Sequence, residues 1–216
     1  MIVPFQTEAD VLAATPTVRD HLAHDGLLGY PTETVYGLGS MPNDAGLDAL
    51  AALKGRPPRK PFLLLISGRV MAERVGLVFS AAARAMAEAF WPGPLTLVLP
   101  GGEGRLPSRL RGAEGGVAVR HTSHRGMASL IAALDTPITS TSANRPGGPT
   151  APGAPMIEDL FQAAVAAGLL VILDGGVLGN VPPSTLIDCT TAVPSIIREG
   201  AIPREELRRA VGRLSP

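Results

Sequence analysis

A single cysteine, Cys189, stands in 216 residues, so no internal disulfide can form. That fits a reducing compartment. Aromatic residues make up 4% of the chain, which leaves little material for the stacking platforms of single-stranded nucleic-acid binders. An excess of one charge is also lacking, because 19 basic residues cancel 19 acidic ones. This argues against broad, non-specific binding to nucleic acid or membrane. No apolar run approaches the roughly 18 residues of a membrane span. The N-terminus carries Glu8 and Asp10 with no basic stretch before an apolar run, unlike a signal peptide. A soluble, cytoplasmic protein is expected. The standard nucleotide motifs are missing too: there is no G-x-x-x-x-G-K-[ST], and no G-x-G-x-x-G follows a strand. His121 and His124 lie three apart with no further ligand beside them, so a turn or surface role is expected and no metal site. Cys189 has no activating neighbour and reads as a buried, inert thiol. Asp174 and Asp188 read as turn and strand-end residues.

What is present is apolar and full of turns. Hydrophobic residues are 45% of the chain, beside 25 glycines and 21 prolines. The usual share of glycine and proline together is roughly 12%. With so much core material, the excess implies tight turns and functional loops. Thr15-Pro16 reads as a helix start, with the helix ending near Gly26. Leu27 to Tyr30 and Val35 to Gly39 read as extended. Leu47, Leu50 and Lys54 recur at helical spacing, so 44–54 is predicted helical. Further strands are expected at 62–66, 95–99, 117–120, 138–141, 170–173, 185–188 and 196–198. Helices are expected from Ser80 to Phe90, at 126–134 and 157–167, and from Pro203 onward. Gly101 to Gly116 reads as a polar, glycine-rich excursion, and Ser142 to Pro155 as a long loop. Alternating strands and helices closing on a hairpin imply one α/β domain over 1–216 with a mixed, twisted sheet and one concave site.

Four segments carry possible chemistry. Lys54-Gly55-Arg56-Pro57-Pro58-Arg59-Lys60-Pro61 places four cations within seven residues. Arginine forks and lysine point charges suit a triphosphate, although a solvated basic turn has the same composition. Pro137 to Asn144 brings four hydroxyls and an amide to a strand end, as donors for ligand oxygens or as strand-end bonds to the backbone. Tyr30 to Gly39 sets a small polar turn between apolar segments. Pro183 to Asp188 with Ile196 to Gly200 would bring a serine and an arginine onto paired strands; a structural hairpin explains the same residues.

Taken in order, Tyr30–Gly39, Lys54-Gly55-Arg56-Pro57, Phe90–Thr96, Val117–Arg120, Ser140–Asn144, Ser184-Thr185 and Arg198-Glu199-Gly200 resemble the motifs of the YrdC/TsaC-type threonylcarbamoyl-AMP synthases. The resemblance runs from about residue 26 to 203. It implies the YrdC α/β fold: a twisted, largely parallel mixed sheet with flanking helices around a concave basic cavity. It also implies the short form, with no appended C-terminal domain. The implied activity is that of a nucleotidyltransferase. L-Threonine, bicarbonate or CO2, and ATP would give threonylcarbamoyl-adenylate and pyrophosphate, with Mg2+ on the phosphates. The product supplies separate threonylcarbamoyl-transferase proteins that modify adenosine 37 of tRNA, and direct RNA contact is an open possibility.

Carried over residue by residue, the resemblance assigns Lys54 and Arg56 to catalysis and to the ATP phosphates. Lys60 stands where the family often has asparagine as a nucleotide contact. Gly116, Ser142, Asn144, Thr150 and Arg198 would face ATP. Thr34, Arg120, Ser140 and Ser184 would hold L-threonine, with Arg120 on its carboxylate. Leu65 replaces a histidine common near the amino-acid pocket. Asp174 to Gly200 resembles the tail of YciO-like paralogues, yet the Lys-x-Arg and Ser-x-Asn motifs that those tend to lose are intact. The alternatives are such a paralogue, a carbamoyl-adenylate-forming module of the kind embedded in larger carbamoyltransferases, or an RNA-binding module.

Overall fold

The structure is a computed structural model that describes residues 1–55, 61–179 and 181–215. In chain order its elements are β1 (Ile2–Pro4), α1 (Glu8–Ala23), β2 (Leu27–Tyr30), β3 (Gly37–Gly39), α2 (Asp44–Lys54), β4 (Leu63–Leu65), α3 (Arg69–Arg74), α4 (Ala81–Phe90), β5 (Leu95–Leu99), β6 (Val117–Arg120), α5 (Arg125–Leu134), β7 (Ile138–Ser142), α6 (Ala154–Leu160), α7 (Gln162–Ala166), β8 (Leu170–Asp174), β9 (Thr185–Asp188), β10 (Ser195–Arg198) and α8 (Arg204–Val211). The strands form one sheet in the order β1-β8-β2-β3-β7-β4-β6-β5-β9-β10. The sheet is mixed, as expected. Parallel pairing joins β1 to β8, β8 to β2, β4 to β6 and β5 to β9, while the other five pairings are antiparallel, so parallel strands do not dominate.

Local chemistry explains several helix ends. Asn43 Oδ1 accepts from Gly46 N–H at 2.7 Å and starts α2. Gly55, at φ 55°, ends it in the left-handed conformation that a non-glycine side chain resists. Ser80 Oγ accepts from Ala83 N–H at 3.1 Å and starts α4. The first helix corrects the expected start. It begins after Thr7, not Thr15: Thr7 Oγ1 accepts from Asp10 N–H at 3.1 Å, and Asp10 Oδ2 accepts from Thr7 N–H at 2.9 Å, a reciprocal cap. Pro16 therefore sits inside α1. It lies on the exposed face, where the carbonyl it leaves unbonded can meet water. The buried stripe Val11, Ala14, Val18 and Leu22 runs past it undisturbed.

Other departures have equally local causes. The helix expected over 157–167 is two, because Phe161 leaves helical geometry (φ −127°, ψ 31°). Its ring is buried beneath the Arg145 guanidinium, 4.7 Å from the centroid. Strand β1 and helix α3 are too short to have shown a period. Among the described residues no helix is long and apolar enough to cross a membrane.

Sheet register builds the site. Leu65 pairs with Arg120, Arg120 with Thr96, Thr96 with Leu186, and Leu186 with Arg198. Directly paired residues project to the same face of a sheet. One row across four strands thus puts Leu65, Arg120, Thr96 and Leu186 on one face, and a register shift in β10 between Ile196 and Arg198 brings Arg198 opposite Leu186, where it lines the same cavity. A second row, Ala118–Val98–Asp188, lies beside it.

Candidate active site

The face carrying these rows lines a cavity of about 600 Å³. Thr34, Lys54, Gly116, Arg120, Ser140, Ser142, Asn144, Ser184 and Arg198 all line it, although they come from six regions of the chain. Thr150 is not among its lining residues. Arg56 and Lys60 lie outside the described residues. Thr32, Thr96 and Asp188 line it without having been singled out as ligand contacts. Leu65, Val98, Ala118 and Leu186 supply apolar floor, where charges interact more strongly than in water.

Lys54 occupies the buried stripe of α2, at 6% exposure. A buried ammonium requires acceptors, and the loop after β7 provides them. Lys54 Nζ donates to Ser142 O at 2.9 Å, to Asn144 Oδ1 at 2.8 Å and, closely, to Asn144 O. Ser142 Oγ donates to the same Asn144 Oδ1 at 2.8 Å, and Asn144 Nδ2 donates to Gly148 O at 2.7 Å. Lysine, serine and asparagine therefore form one connected unit, and Lys54 shapes the loop as well as charging it.

At the other end, Arg120 is 4% exposed. Its Nε donates to Gly93 O at 3.3 Å and its Nη2 to Thr34 Oγ1 at 3.0 Å. Glu33 Oε1 lies 2.7 Å from Nη2 but off the line of its N–H, so this contact is charge pairing with poor hydrogen-bond alignment. Nη1 has no partner among the described residues, on a side chain that lines the cavity. Burial acts to raise the Glu33 carboxyl, but the Arg120 charge and the Thr122 hydroxyl outweigh it and hold the group below the ordinary glutamate range.

Thr32 Oγ1 organises the turn beside Arg120. It donates its one hydrogen to Val35 O at 2.6 Å and accepts from the N–H groups of Thr34 and Val35, both at 3.2 Å, which fills its two lone pairs. Thr34 Oγ1 lies 3.1 Å from it and accepts from Arg120 Nη2 at 3.0 Å. Thr34 thus presents to the cavity a hydroxyl already paired with the guanidinium.

Arg198 Nη2 donates to Ser184 O at 2.8 Å, and Ser184 Oγ lies 2.8 Å from Thr96 Oγ1. Burial, then repulsion from Arg120, lowers the Arg198 pKa below the usual arginine value. An anion between the two guanidinium groups relieves that repulsion. Gly200 makes the arrangement possible: a Cβ there would stand 2.1 Å from Pro183 O. Thr185 Oγ1 accepts from the N–H groups of Gly200 and Ile202, both at 3.0 Å, and pins this return to β9.

Asp188, read from sequence as structural, turns Oδ1 to Thr190 N–H at 2.8 Å and Thr190 Oγ1 at 2.7 Å while lining the cavity. His124 caps α5, its Nδ1 accepting from Met127 N–H at 3.3 Å. Glu33 and Thr122 carried no sequence signal beyond membership in their turns.

A protein-family model, Sua5–YciO–YrdC, described as telomere recombination, matches residues 20–200. The threonylcarbamoyl-AMP synthase of Thiobacillus denitrificans is 40% identical over 180 residues, covering 82% of this chain and 92% of that protein. The threonylcarbamoyl-AMP synthase of Pyrococcus abyssi is 35% identical over 189 residues, 87% of this chain and 54% of its own. The present chain thus spans about half of that relative. A crystal structure of P. abyssi Sua5 complexed with L-threonine is similar at a TM-score of 0.85 and 31% identity, over 99% of this chain and 62% of that one.

Proposed function

The chain belongs to the Sua5–YciO–YrdC family, and from that premise we propose that it is a threonylcarbamoyl-AMP synthase. The observation that carries this reading is the register row that sets Arg120 and Arg198 on one cavity face beside Thr34, Ser140 and Ser184. Such a site suits a small zwitterion at one end and polyphosphate at the other. The threonine amine captures CO2, or bicarbonate as its source, and loses a proton to become a carbamate. A carbamate oxygen attacks the α-phosphorus of ATP, the bond from that phosphorus to the β-phosphate oxygen breaks, and pyrophosphate leaves.

Both reactants are anions, so the protein's work is positioning and charge compensation. Arg120 takes the threonine carboxylate through its unpartnered Nη1. Thr34 meets the amine or hydroxyl. Ser140 and Ser184 complete the amino-acid end. Arg198, Lys54 and Arg56 balance phosphate charge, with Ser142, Asn144, Gly116 and Lys60 along the nucleotide. Thr150, in the loop after β7, would also face ATP. Magnesium would arrive on triphosphate oxygens, neutralising charge there. Every step assigned to the chain is charge placement and positioning. The adenylate then passes to separate transferase proteins acting on tRNA, in the cytoplasm.

The test is pyrophosphate release from ATP, measured with and without L-threonine and bicarbonate. Release that requires both supports the synthase. Release indifferent to threonine, or none at all, refutes it.

A further inference from the structure

Arg120 can serve a ligand carboxylate only if its planar fork is held in one orientation, because a bidentate contact needs the guanidinium plane aligned. Strand β6 positions the residue's backbone but leaves four side-chain torsions to be set. Three contacts set them: Gly93 O on Nε, Thr34 Oγ1 on Nη2, and Glu33 Oε1 at 2.7 Å from the same Nη2.

Glu33 is itself held at both oxygens. Its Oε2 accepts a close hydrogen bond from Thr122 Oγ1. That hydroxyl accepts from His124 N–H at 3.2 Å, so its own proton is directed to the carboxylate. Thr122 is fully buried, and His124 is fixed as the α5 cap. A chain of contacts therefore runs from the start of α5 through Thr122 and Glu33 to the guanidinium. Glu33 does not line the cavity, while its neighbour Thr34 does. One turn thus places a carboxylate and a hydroxyl on the same Nη2.

We propose that Glu33 is a positioning residue: it holds the Arg120 guanidinium at Nη2, so that Nη1 stands ready for the carboxylate of the amino-acid substrate. This rests on the reading of the Arg120 end as the amino-acid subsite. Removing the Glu33 charge has two opposed effects. It lifts a repulsion on an incoming carboxylate, and it frees the guanidinium to turn. The repulsion is weakened because the Glu33 side chain is 19% exposed and partly screened. Orientation is the larger effect, so the loss should weaken binding.

The test compares wild type, Glu33→Gln and Thr122→Val. Calorimetry measures L-threonine and, separately, a non-hydrolysable ATP analogue. Glu33→Gln should weaken threonine about tenfold, the size of one lost charge-assisted contact, with the ATP analogue changed less than about twofold. Thr122→Val should shift threonine in the same direction by a smaller factor, and it serves if Glu33→Gln does not fold. Arginine-selective 15N NMR, assigned with Arg120→Lys, should show restricted rotation of the Arg120 Nη groups in wild type and averaging in Glu33→Gln. Unchanged or tighter threonine binding, or equal weakening of both ligands, overturns the inference. Wild type that binds no threonine overturns the amino-acid reading instead. The NMR arm then decides Glu33 alone, and equal averaging in both proteins overturns its role.

Discussion

Lys54 Nζ lies 2.8 Å from Asn144 Oδ1, across ninety positions of sequence. This contact ties the end of α2 to the loop after β7, and so couples the lysine of one motif to the asparagine of another. The two motifs act together because their side chains form one bonded unit. Lys54→Met keeps the apolar stem and removes the ammonium. It should cost about 1–3 kcal/mol of stability by leaving loop oxygens unpaired. Amide exchange across residues 143–151 should accelerate, and ATP should bind at least about tenfold more weakly. Urea denaturation and hydrogen exchange read the first two effects. Unaltered stability with unaltered exchange would show that Lys54 does not shape the loop.

Arg120 and Glu33 form a pair with little access to water, and breaking such a pair strands a charge. Arg120→Met should destabilise by about 3 kcal/mol, the lower end of the range for buried pairs because Glu33 keeps some exposure. Adding Glu33→Gln to that variant should recover about 1–2 kcal/mol, since no uncompensated carboxylate remains. A double-mutant cycle in urea measures the coupling. Additive losses would mean the two groups do not depend on each other.

The same pair sets a dependence on pH. The Glu33 carboxyl titrates below its unfolded value, so its contribution is fully present above about pH 4.3 and is lost as pH falls through the lower folded value. The stability difference between wild type and Glu33→Gln should therefore be constant near neutrality and shrink below about pH 4.3. Asp10 and Asp135 also titrate low but are common to both proteins and cancel. Parallel acid-denaturation curves would contradict this.

Amino-acid selectivity follows from the chemistry of the subsite. Serine lacks only a methyl group, worth about 0.8 kcal/mol or roughly fourfold when buried. Valine lacks the hydroxyl and would leave polar groups among Thr34, Ser140 and Ser184 unpaired, a larger loss. Leu65 contributes apolar surface alone. Pyrophosphate release should fall in the order threonine, serine, valine, with valine barely active. Equal use of valine and threonine would place the amino acid elsewhere.

Cys189 is 2% exposed. Burial, reinforced by the charge of Asp188, pushes its thiol up to about 12. A maleimide at pH 8 should leave the folded protein unlabelled and modify one site after unfolding in urea. Rapid labelling of the native protein would mean that β9 and its flanking turn open readily.

Much of this protein is written locally. Asn43 before α2, Ser80 before α4 and Gly55 after α2 mark ends that a four-residue window can show, because each cap bonds a near neighbour. The spacing of Leu47, Leu50 and Lys54 showed the helix, while the burial of the Lys54 charge is seen only in the fold. The ordered motifs were legible as strings, and they pointed to the family and to about half of the cavity lining. The first turn of α1 was missed, because Thr15-Pro16 was read as the start while Thr7 and Asp10 cap the helix. Only the fold reveals that Pro16 lies on the solvent side, where a broken hydrogen bond is tolerated.

What the chain alone left open was set by non-local pairing. Alternation along β6 shows that Arg120 and Ala118 share a face, but not which strands lie beside them. The row Leu65–Arg120–Thr96–Leu186–Arg198 exists because three strand registers agree and a register shift in β10 brings Arg198 opposite Leu186. The break at Phe161 depends on Arg145 coming to rest over its ring. The place of Glu33 depends on Thr122, 89 positions away, donating to it. Caps and periods are short-range bonds, and sequence states them directly. Register, burial and the pairing of charges are energies between distant segments, and they acquire values only when the sheet closes.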